Sequence, residues 1–161
     1  MISDLTIRQV QGFDAKALGV FLEDNARPEI TRHFHPFALT AATADQICGA
    51  NQVDRYFIAV RQHHIVGLAM LRGWSQGFST PSFGLLVDYR ETGNGIGRRL
   101  TEFCIEEAKR IGCRRVRLTV NASNTRALQL YSSIGFAEMS REHICASGES
   151  DFKIVMLIDL N

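Results

Sequence analysis

The stretch ETGNGIGRRL, Glu91 to Leu100, places three glycines in five positions and runs straight into a helical pattern of apolar residues. Glycine costs backbone entropy, so a cluster implies a local need. Three needs fit: a turn that binds nothing, a helix start, or a backbone cradle for an anion. The cradle has a physical basis. A strand that runs through a glycine loop into a helix aims several N–H groups and the positive helix end at one point, which suits phosphate oxygens. Arg98 and Arg99 add positive charge there. Spacing excludes two phosphate motifs. A dinucleotide fingerprint begun at Gly93 and Gly95 requires glycine at position 98, where the chain has Arg98, and the strand RVRLTV that follows carries no acidic residue for a ribose. A Walker A loop requires a closing Gly-Lys-Ser/Thr, which is absent. The empty turn and the cradle both stay open on these residues alone.

Other chemistries are less well supplied. Cys48, Cys104, Cys113 and Cys145 form no C-x-x-C pair, and no Cys/His cluster has zinc spacing, so no metal is expected. Cys104 falls on an apolar helical stripe, and the cysteines read as reduced thiols of a cytoplasmic protein. The 161 residues suit one domain, 1–161, with a real core. A formal net charge of +1 argues against a nucleic-acid surface, which needs a basic excess. No apolar run approaches the roughly 20 residues of a membrane span, and the opening MISDLTIRQV lacks the zones of a signal peptide.

Positioning elements can be read from periodicity. Leu5 to Val10 alternates as a half-buried strand. Phe13 to Asn25 predicts a helix with Ala17, Leu18, Phe21 and Leu22 on one face, ending near Pro28. The loop RHFHPFAL precedes a short helix from Thr40 to Ala50. Asp54 to Arg61 and Ile65 to Leu71 read as strands joined by a tight turn at RQHH. After the loop GWSQGFSTP comes a strand from Pro81 to Val87. A helix over Gly95 to Ile111 carries the stripe Ile96, Leu100, Phe103, Cys104, Ala108 and Ile111, with Gly112 as its stop. Arg115 to Val120 is a strand, and Thr125 to Ile134 a helix with Asn124 as N-cap and Gly135 as stop. Phe136 to Ile144 and Phe152 to Leu160 close the chain as strands. The order β-α-α-β-β-β-α-β-α-β-β predicts a mixed sheet with helices on its faces, an α/β or α+β architecture.

Two segments then carry a family resemblance. From Val87, V-D-Y-R-E-T-G-N-G-I-G-R-R-L resembles the acetyl-CoA loop of the GNAT acyltransferases, roughly V-x-P-x-Y-R-G-x-G-I-G-x-x-L with a core Q/R-x-x-G-x-G/A. Aligned without gaps, Gly95 and Gly97 fill the glycine positions and Thr92 replaces Q/R. A shifted register would use Arg90, Gly93 and Gly95 instead. LTVNASNTRALQLYSSIGF, Leu118 to Phe136, resembles the family's L-x-V-x-x-x-N-x-x-A-x-x-L-Y-x-x-x-G-F through Asn124, Ala127, Leu130, Tyr131, Gly135 and Phe136. The segments are separated by one helix and one strand, as in the family.

The resemblance implies a GNAT fold: a mixed, mostly antiparallel sheet of about seven strands, splayed at the cofactor site and flanked by about four helices. It implies an N-acetyltransferase that binds acetyl-CoA as cosubstrate and passes its acetyl group to a primary amine by direct attack in a ternary complex. The cofactor positions carried over are Leu85, Leu86, Val87, Thr92, Gly93, Asn94, Gly95, Ile96, Gly97, Arg98, Asn124 and Tyr131. Tyr131 is the expected proton donor to the departing CoA thiolate. No carboxylate precedes Asp88 in the strand PSFGLLV, so the base is sought elsewhere. His33 and His35 are the candidates, with His63, His64, Glu142 and Asp151 behind them. The aromatic and polar loops RHFHPF and GWSQGFSTP suit a small-molecule amine or amino-sugar acceptor. Alternatives are a protein N-terminus or lysine as acceptor, or an acyl-CoA-binding module without catalysis. No nucleic-acid or membrane partner is expected, and the apolar FKIVMLIDL is compatible either with a homodimer or with plain core.

Overall fold

The computed structural model describes residues 4–34, 36–49, 52–146 and 148–161. Strand β1 (Thr6–Gln9) leads to helices α1 (Ala15–Asp24), α2 (Pro28–Thr31) and α3 (Ala41–Ile47). Strands β2 (Arg55–Arg61), β3 (His64–Arg72) and β4 (Ser82–Val87) follow. Helix α4 (Ile96–Arg110), strand β5 (Arg115–Asn121), helix α5 (Thr125–Ile134) and strands β6 (Ala137–Ala146) and β7 (Glu149–Asp159) complete the order. The strands form one open seven-stranded sheet, ordered β1-β2-β3-β4-β5-β7-β6. All neighbours run antiparallel except β4 and β5. This is the mixed, mostly antiparallel fold that the resemblance implies.

Period-2 alternation sends each strand's side chains to two cores. On one face Ile96, Leu100 and Cys104 of α4 pack with Phe83, Leu118 and Tyr131. On the other, Leu18 and Leu22 of α1 and Ile47 of α3 pack with Ile58, Leu68, Met70 and Leu86. The tight turn between β2 and β3 holds Gln62 and His63 at φ of 51° and 65°, the left-handed backbone of a two-residue hairpin. Helix α4 stops as its composition predicts. Gly112 N–H donates to Lys109 O at 3.0 Å and Cys113 N–H to Ala108 O at 2.9 Å, the paired bonds of a Schellman ending.

Three expectations need correction. The first helix ends before Pro28 as expected, but Pro28 then opens a single-turn helix, α2, that the expected order lacks, because its fixed φ and missing N–H suit a first helical position. Ala17 is exposed, and the buried face of α1 is Leu18, Phe21 and Leu22. The predicted helix over Thr40 to Ala50 is shorter, with Thr40 as N-cap accepting from Thr43 N–H. The apolar FKIVMLIDL lies inside the sheet, paired with β5 on one side and β6 on the other, with Ile154 and Met156 buried. Those two residues of the run thus serve the core.

Candidate active site

The site begins where the sheet opens. Strand β4 pairs with β3 over its whole length, from Val87 opposite Gly67 to Ser82 opposite Arg72. Between β4 and β5 a single register pair forms, Ser82 opposite Arg117. Arg117 secures it, its backbone N–H donating to Pro81 O at 3.0 Å and its Nη1 to Ser82 Oγ at 3.0 Å. Beyond this pin the two strands part, leaving the β5-facing edge of Phe83 to Val87 without a strand partner. Such an edge accepts an extended, amide-bearing chain as an added strand would. A cleft of about 910 Å³ occupies the opening, within the size range of small-molecule sites.

The glycine loop stands past the end of β4. Gly93 and Gly95 take φ of 87° and 81°, a left-handed backbone that side chains disfavour. Gly95 is the N-cap of α4, and among the described residues no side chain caps that end. The first helical bond runs from Arg99 N–H to Gly95 O at 3.1 Å, so the N–H groups of the first turn point outward. The first turn has no acidic residue, and Arg98 and Arg99 place cations where the helix dipole disfavours them. An anion at this end relieves both deficits. Gly97 has a different reason to be glycine. A Cβ there would stand 3.3 Å from Leu85 Cδ2, 3.5 Å from Leu130 Cδ2 and 3.6 Å from Val87 Cγ2. The residue sits at the junction of α4, β4 and α5 and lets them close together.

The loop is anchored from below. Asp88, 4% exposed, accepts from Arg90 N–H at 2.8 Å and Arg90 Nε at 2.9 Å. Asn25, fully buried at the end of α1, accepts from Tyr89 N–H at 2.9 Å. Glu91 is ion-paired with Arg61 of β2. Burial alone would push the Asp88 carboxyl up, but the Arg90 side-chain and backbone bonds, the Arg90 charge and Asn25 together hold it below its usual range. A depressed carboxyl stabilises the fold above its unfolded value of about 3.9, and that contribution is lost as pH falls through the folded value. Asp88→Asn should therefore cost stability at pH 7 and much less near pH 3. Urea midpoints at the two pH values check this; equal losses at both would remove the electrostatic account.

Tyr131 of α5 lines the cleft. Its ring is clamped edge-on by Phe83 and Phe136, with centroids at 6.0 and 5.9 Å. The end of α5 creates the second clamp: Gly135 N–H donates to Ser132 O at 3.2 Å and Phe136 N–H to Tyr131 O at 3.0 Å, turning the Phe136 ring back onto Tyr131. Burial pushes the phenol pKa up. It therefore stays a neutral donor through the physiological range. Asn124 caps α5, its Oδ1 accepting Ala127 N–H at 3.4 Å, and also lines the cleft.

The other expected residues are placed as follows. Leu85 lines the cleft, and Leu85 and Val87 pack on α4. The Leu86 side chain enters the opposite core under α1, so its backbone alone is available. Thr92 Oγ1 donates to Tyr89 O at 3.2 Å and Asn94 N–H to Glu91 O at 3.3 Å, both shaping the loop. Ile96 is core. The Arg98 side chain reaches Ser133 Oγ on α5 at 2.6 Å. His33 is half-buried on the cleft wall. His35 lies outside the described residues. His63 and His64 are exposed at the β2–β3 tip, away from the cleft lining. Asp151 accepts Ser123 N–H at 3.1 Å and Ser123 Oγ at 2.5 Å; bonds from Ser123 lead the effects that hold its carboxyl below the usual range. Glu142 is exposed on β6.

Arg126 beside the glycine loop and Asp54 in the cleft lining escaped the sequence reading. Arg126 Nη1 lies 3.8 Å from the place a Cβ on Gly93 would take, bringing a cation of α5 to the glycine loop. Only the packing of α5 beside α4 makes that neighbour. Asp54, read from sequence as the start of a strand, is instead buried just before β2 and lines the cleft. Its Oδ1 accepts Gly73 N–H at 3.1 Å and Ser75 N–H at 3.3 Å, and its Oδ2 accepts Ser75 Oγ at 2.9 Å.

Residues 21–136 match the Acetyltransferase (GNAT) family, and the chain belongs to that family. It is 42% identical over 77 residues to the mycothiol acetyltransferase of Jonesia denitrificans, across 48% of this chain and 24% of that protein. It is 41% identical over 56 residues to the [ribosomal protein bS18]-alanine N-acetyltransferase of Escherichia coli, across 35% of this chain and 38% of that one. The chain thus spans well under half the length of these curated relatives. In three dimensions it resembles yncA of Salmonella typhimurium, solved with its cofactor acetyl-CoA, at a TM-score of 0.82 and 19% identity over 99% of this chain and 95% of the other. At that identity the likeness is one of fold. Among the described residues, no helix is long and apolar enough to cross a membrane.

Proposed function

We propose that the protein is an N-acetyltransferase that moves an acetyl group from acetyl-CoA to the primary amine of a small acceptor. One observation carries this reading: the uncapped start of α4, the open edge of β4 and the clamped Tyr131 phenol lie in sequence along one opening of the sheet. The site fits the cosubstrate. The N–H groups around Gly95 and the guanidinium of Arg126 suit its phosphates. The open β4 edge suits the amides of its pantetheine arm, with Asn124 alongside. A backbone N–H near Leu85 suits the acetyl oxygen as charge develops there.

In the reaction, a C–N bond forms between acceptor amine and acetyl carbon while the C–S bond breaks. The amine gives up a proton, and the sulfur leaves as thiolate or thiol. The place of Tyr131 on the cleft wall and the burial that keeps its phenol neutral support a role for it as proton donor to that sulfur. The place of His33 on the cleft wall supports a role for it as acceptor of the amine proton. The four cysteines, none in a disulfide, support a reducing cytoplasmic setting. A protein N-terminus or lysine is the alternative acceptor, since the matched bS18-alanine enzyme by its name acts on a ribosomal protein.

The first test is thermal stability with acetyl-CoA, using NADH and ATP as controls. A ligand at about 100 times its dissociation constant adds roughly 2.7 kcal/mol. Stabilisation by acetyl-CoA alone, followed by CoA release on addition of amines, is expected. Absence of binding, checked by calorimetry, would sink the reading; binding with no release against any small amine or peptide would favour the non-catalytic alternative.

A further inference from the structure

Arg72, Ser82 and Arg117 stand in one row across three adjacent strands. Arg72 of β3 is the register partner of Ser82 of β4, and Ser82 is that of Arg117 of β5. Register partners project to the same side of a sheet. Met70 and Leu86, an even number of residues along from Arg72 and Ser82, join the core of α1 and α3, so the row faces that side. It therefore lines the part of the cleft across the sheet from α4, α5 and Tyr131. With neighbouring strands about 4.8 Å apart, the two arginine Cα atoms stand roughly 10 Å apart, a span two guanidinium groups can close on one anion.

Both guanidinium groups are held, and neither is neutralised. Arg117 donates to Ser82 Oγ. Arg72 Nη1 reaches Pro36 O at 3.4 Å, and its guanidinium lies 5.6 Å from the centre of the Phe37 ring. Among the described residues, no carboxylate forms an ion pair with Arg72, Arg117 or Lys153, which also lines the cleft. Three carboxylates stand near enough to matter. Asp54 is occupied by its three donors from Gly73 and Ser75. Asp151 is occupied by Ser123. Glu142 is the register partner of Lys153 and is exposed at the rim. Two half-buried arginines with no counter-ion favour an anion arriving from outside.

We infer that the acceptor carries an oxyanion, a carboxylate or a phosphate, and that Arg72 and Arg117 bracket it with Ser82 between them while Lys153 adds charge at the rim. The inference rests on the acetyltransferase reading and names its acceptor class. It also bears on the amine: the same positive field disfavours an ammonium and favours the neutral nucleophile.

The test uses matched amines that differ in the anion: glutamate against its diamide for a carboxylate, glucosamine 6-phosphate against glucosamine for a phosphate. CoA release is followed with wild type, Arg72→Gln, Arg117→Gln and the conservative Arg72→Lys. The anionic member of one pair should have a kcat/KM at least tenfold higher. Each glutamine variant should reduce that preference at least fivefold through the acceptor KM, and Arg72→Lys should restore part of it. In the Arg72 variants the KM for acetyl-CoA should stay within twofold, which also shows that they fold; Arg117→Gln, which loses a bond at the pin between β4 and β5, is read by its anion preference alone. The pair that responds identifies the oxyanion. Equal rates within both pairs, or variants that depress both members alike, would overturn the inference while leaving acetyl transfer standing. Calorimetric titration of glutamate and glucosamine 6-phosphate into the CoA-saturated protein reads the same subsite without turnover. Binding lost in Arg117→Gln supports the clamp. No binding by either overturns it. Failure of acetyl-CoA itself to bind is a separate result and falls on the acetyltransferase reading.

Discussion

Tyr131→Phe should lower acetyl transfer by roughly 10²-fold or more, the usual worth of a positioned general acid, and leave acetyl-CoA affinity nearly unchanged. The reason is local. The substitution keeps the ring, both edge-on contacts with Phe83 and Phe136, and the helix of which Tyr131 is part. It removes a hydroxyl for which the structure shows no hydrogen-bond partner among the described residues, so the folded state loses little. What it loses is the hydroxyl donor of a residue that lines the cleft. Burial pushes the phenol pKa above its ordinary value of about 10. The proton therefore stays in place as pH rises through 7 to 9, and the wild-type rate should show no basic limb from this residue in that window. Steady-state kinetics for the two proteins, with acetyl-CoA binding measured separately, check the split. Equal turnover would remove Tyr131 from the chemistry and return it to the core.

The second large effect is expected far from the chemistry, at Gly67→Ala. Gly67 lies on β3 directly beneath α4. A Cβ there would come within 2.6 Å of Leu100 Cδ1 and 3.3 Å of Ile96 Cγ2. Leu100 is fully buried and Ile96 is 1% exposed, so neither side chain can turn away. The helix must lift from the sheet or the core must strain. Overpacking of this kind costs typically 1–3 kcal/mol, which in a domain of this size is several degrees of melting temperature. Because Ile96 is the first residue of α4, the same displacement moves the N–H groups beside Gly95. Acetyl-CoA affinity should therefore fall together with stability. Adding Leu100→Val should recover part of both, as neighbouring substitutions couple. Thermal melts with and without acetyl-CoA measure the two losses. A loss of stability with affinity intact would show that the cradle does not depend on how α4 sits.

Much of the fold was legible because its signals are local. Alternation of apolar residues in RVRLTV, the stripe on α4 and the glycines at 112 and 135 each specify an element within a few residues of themselves. Helix α5 has the predicted bounds, Thr125–Ile134, because Asn124 and Gly135 cap it at both ends. The errors were local competitions too. Pro28 ends one helical run and opens another, and a sequence pattern cannot say which role wins. The last strand's apolar run suited either core or interface, and its place between β5 and β6 is what buries Ile154 and Met156.

The candidate site divides along the same line. By itself the sequence determined the glycine loop, the helix it opens, and the pairing of Asn124 with Tyr131 on the next helix, since these rest on spacings within single segments. Tertiary structure alone decided that β4 and β5 part after one register pair, that Arg126 comes to Gly93, that Asp54 is occupied, and that Arg72 and Arg117 flank Ser82. Each of these joins residues tens of positions apart through strand register or helix packing. That register is set by which faces of the whole sheet are buried, and no short stretch of chain carries that information.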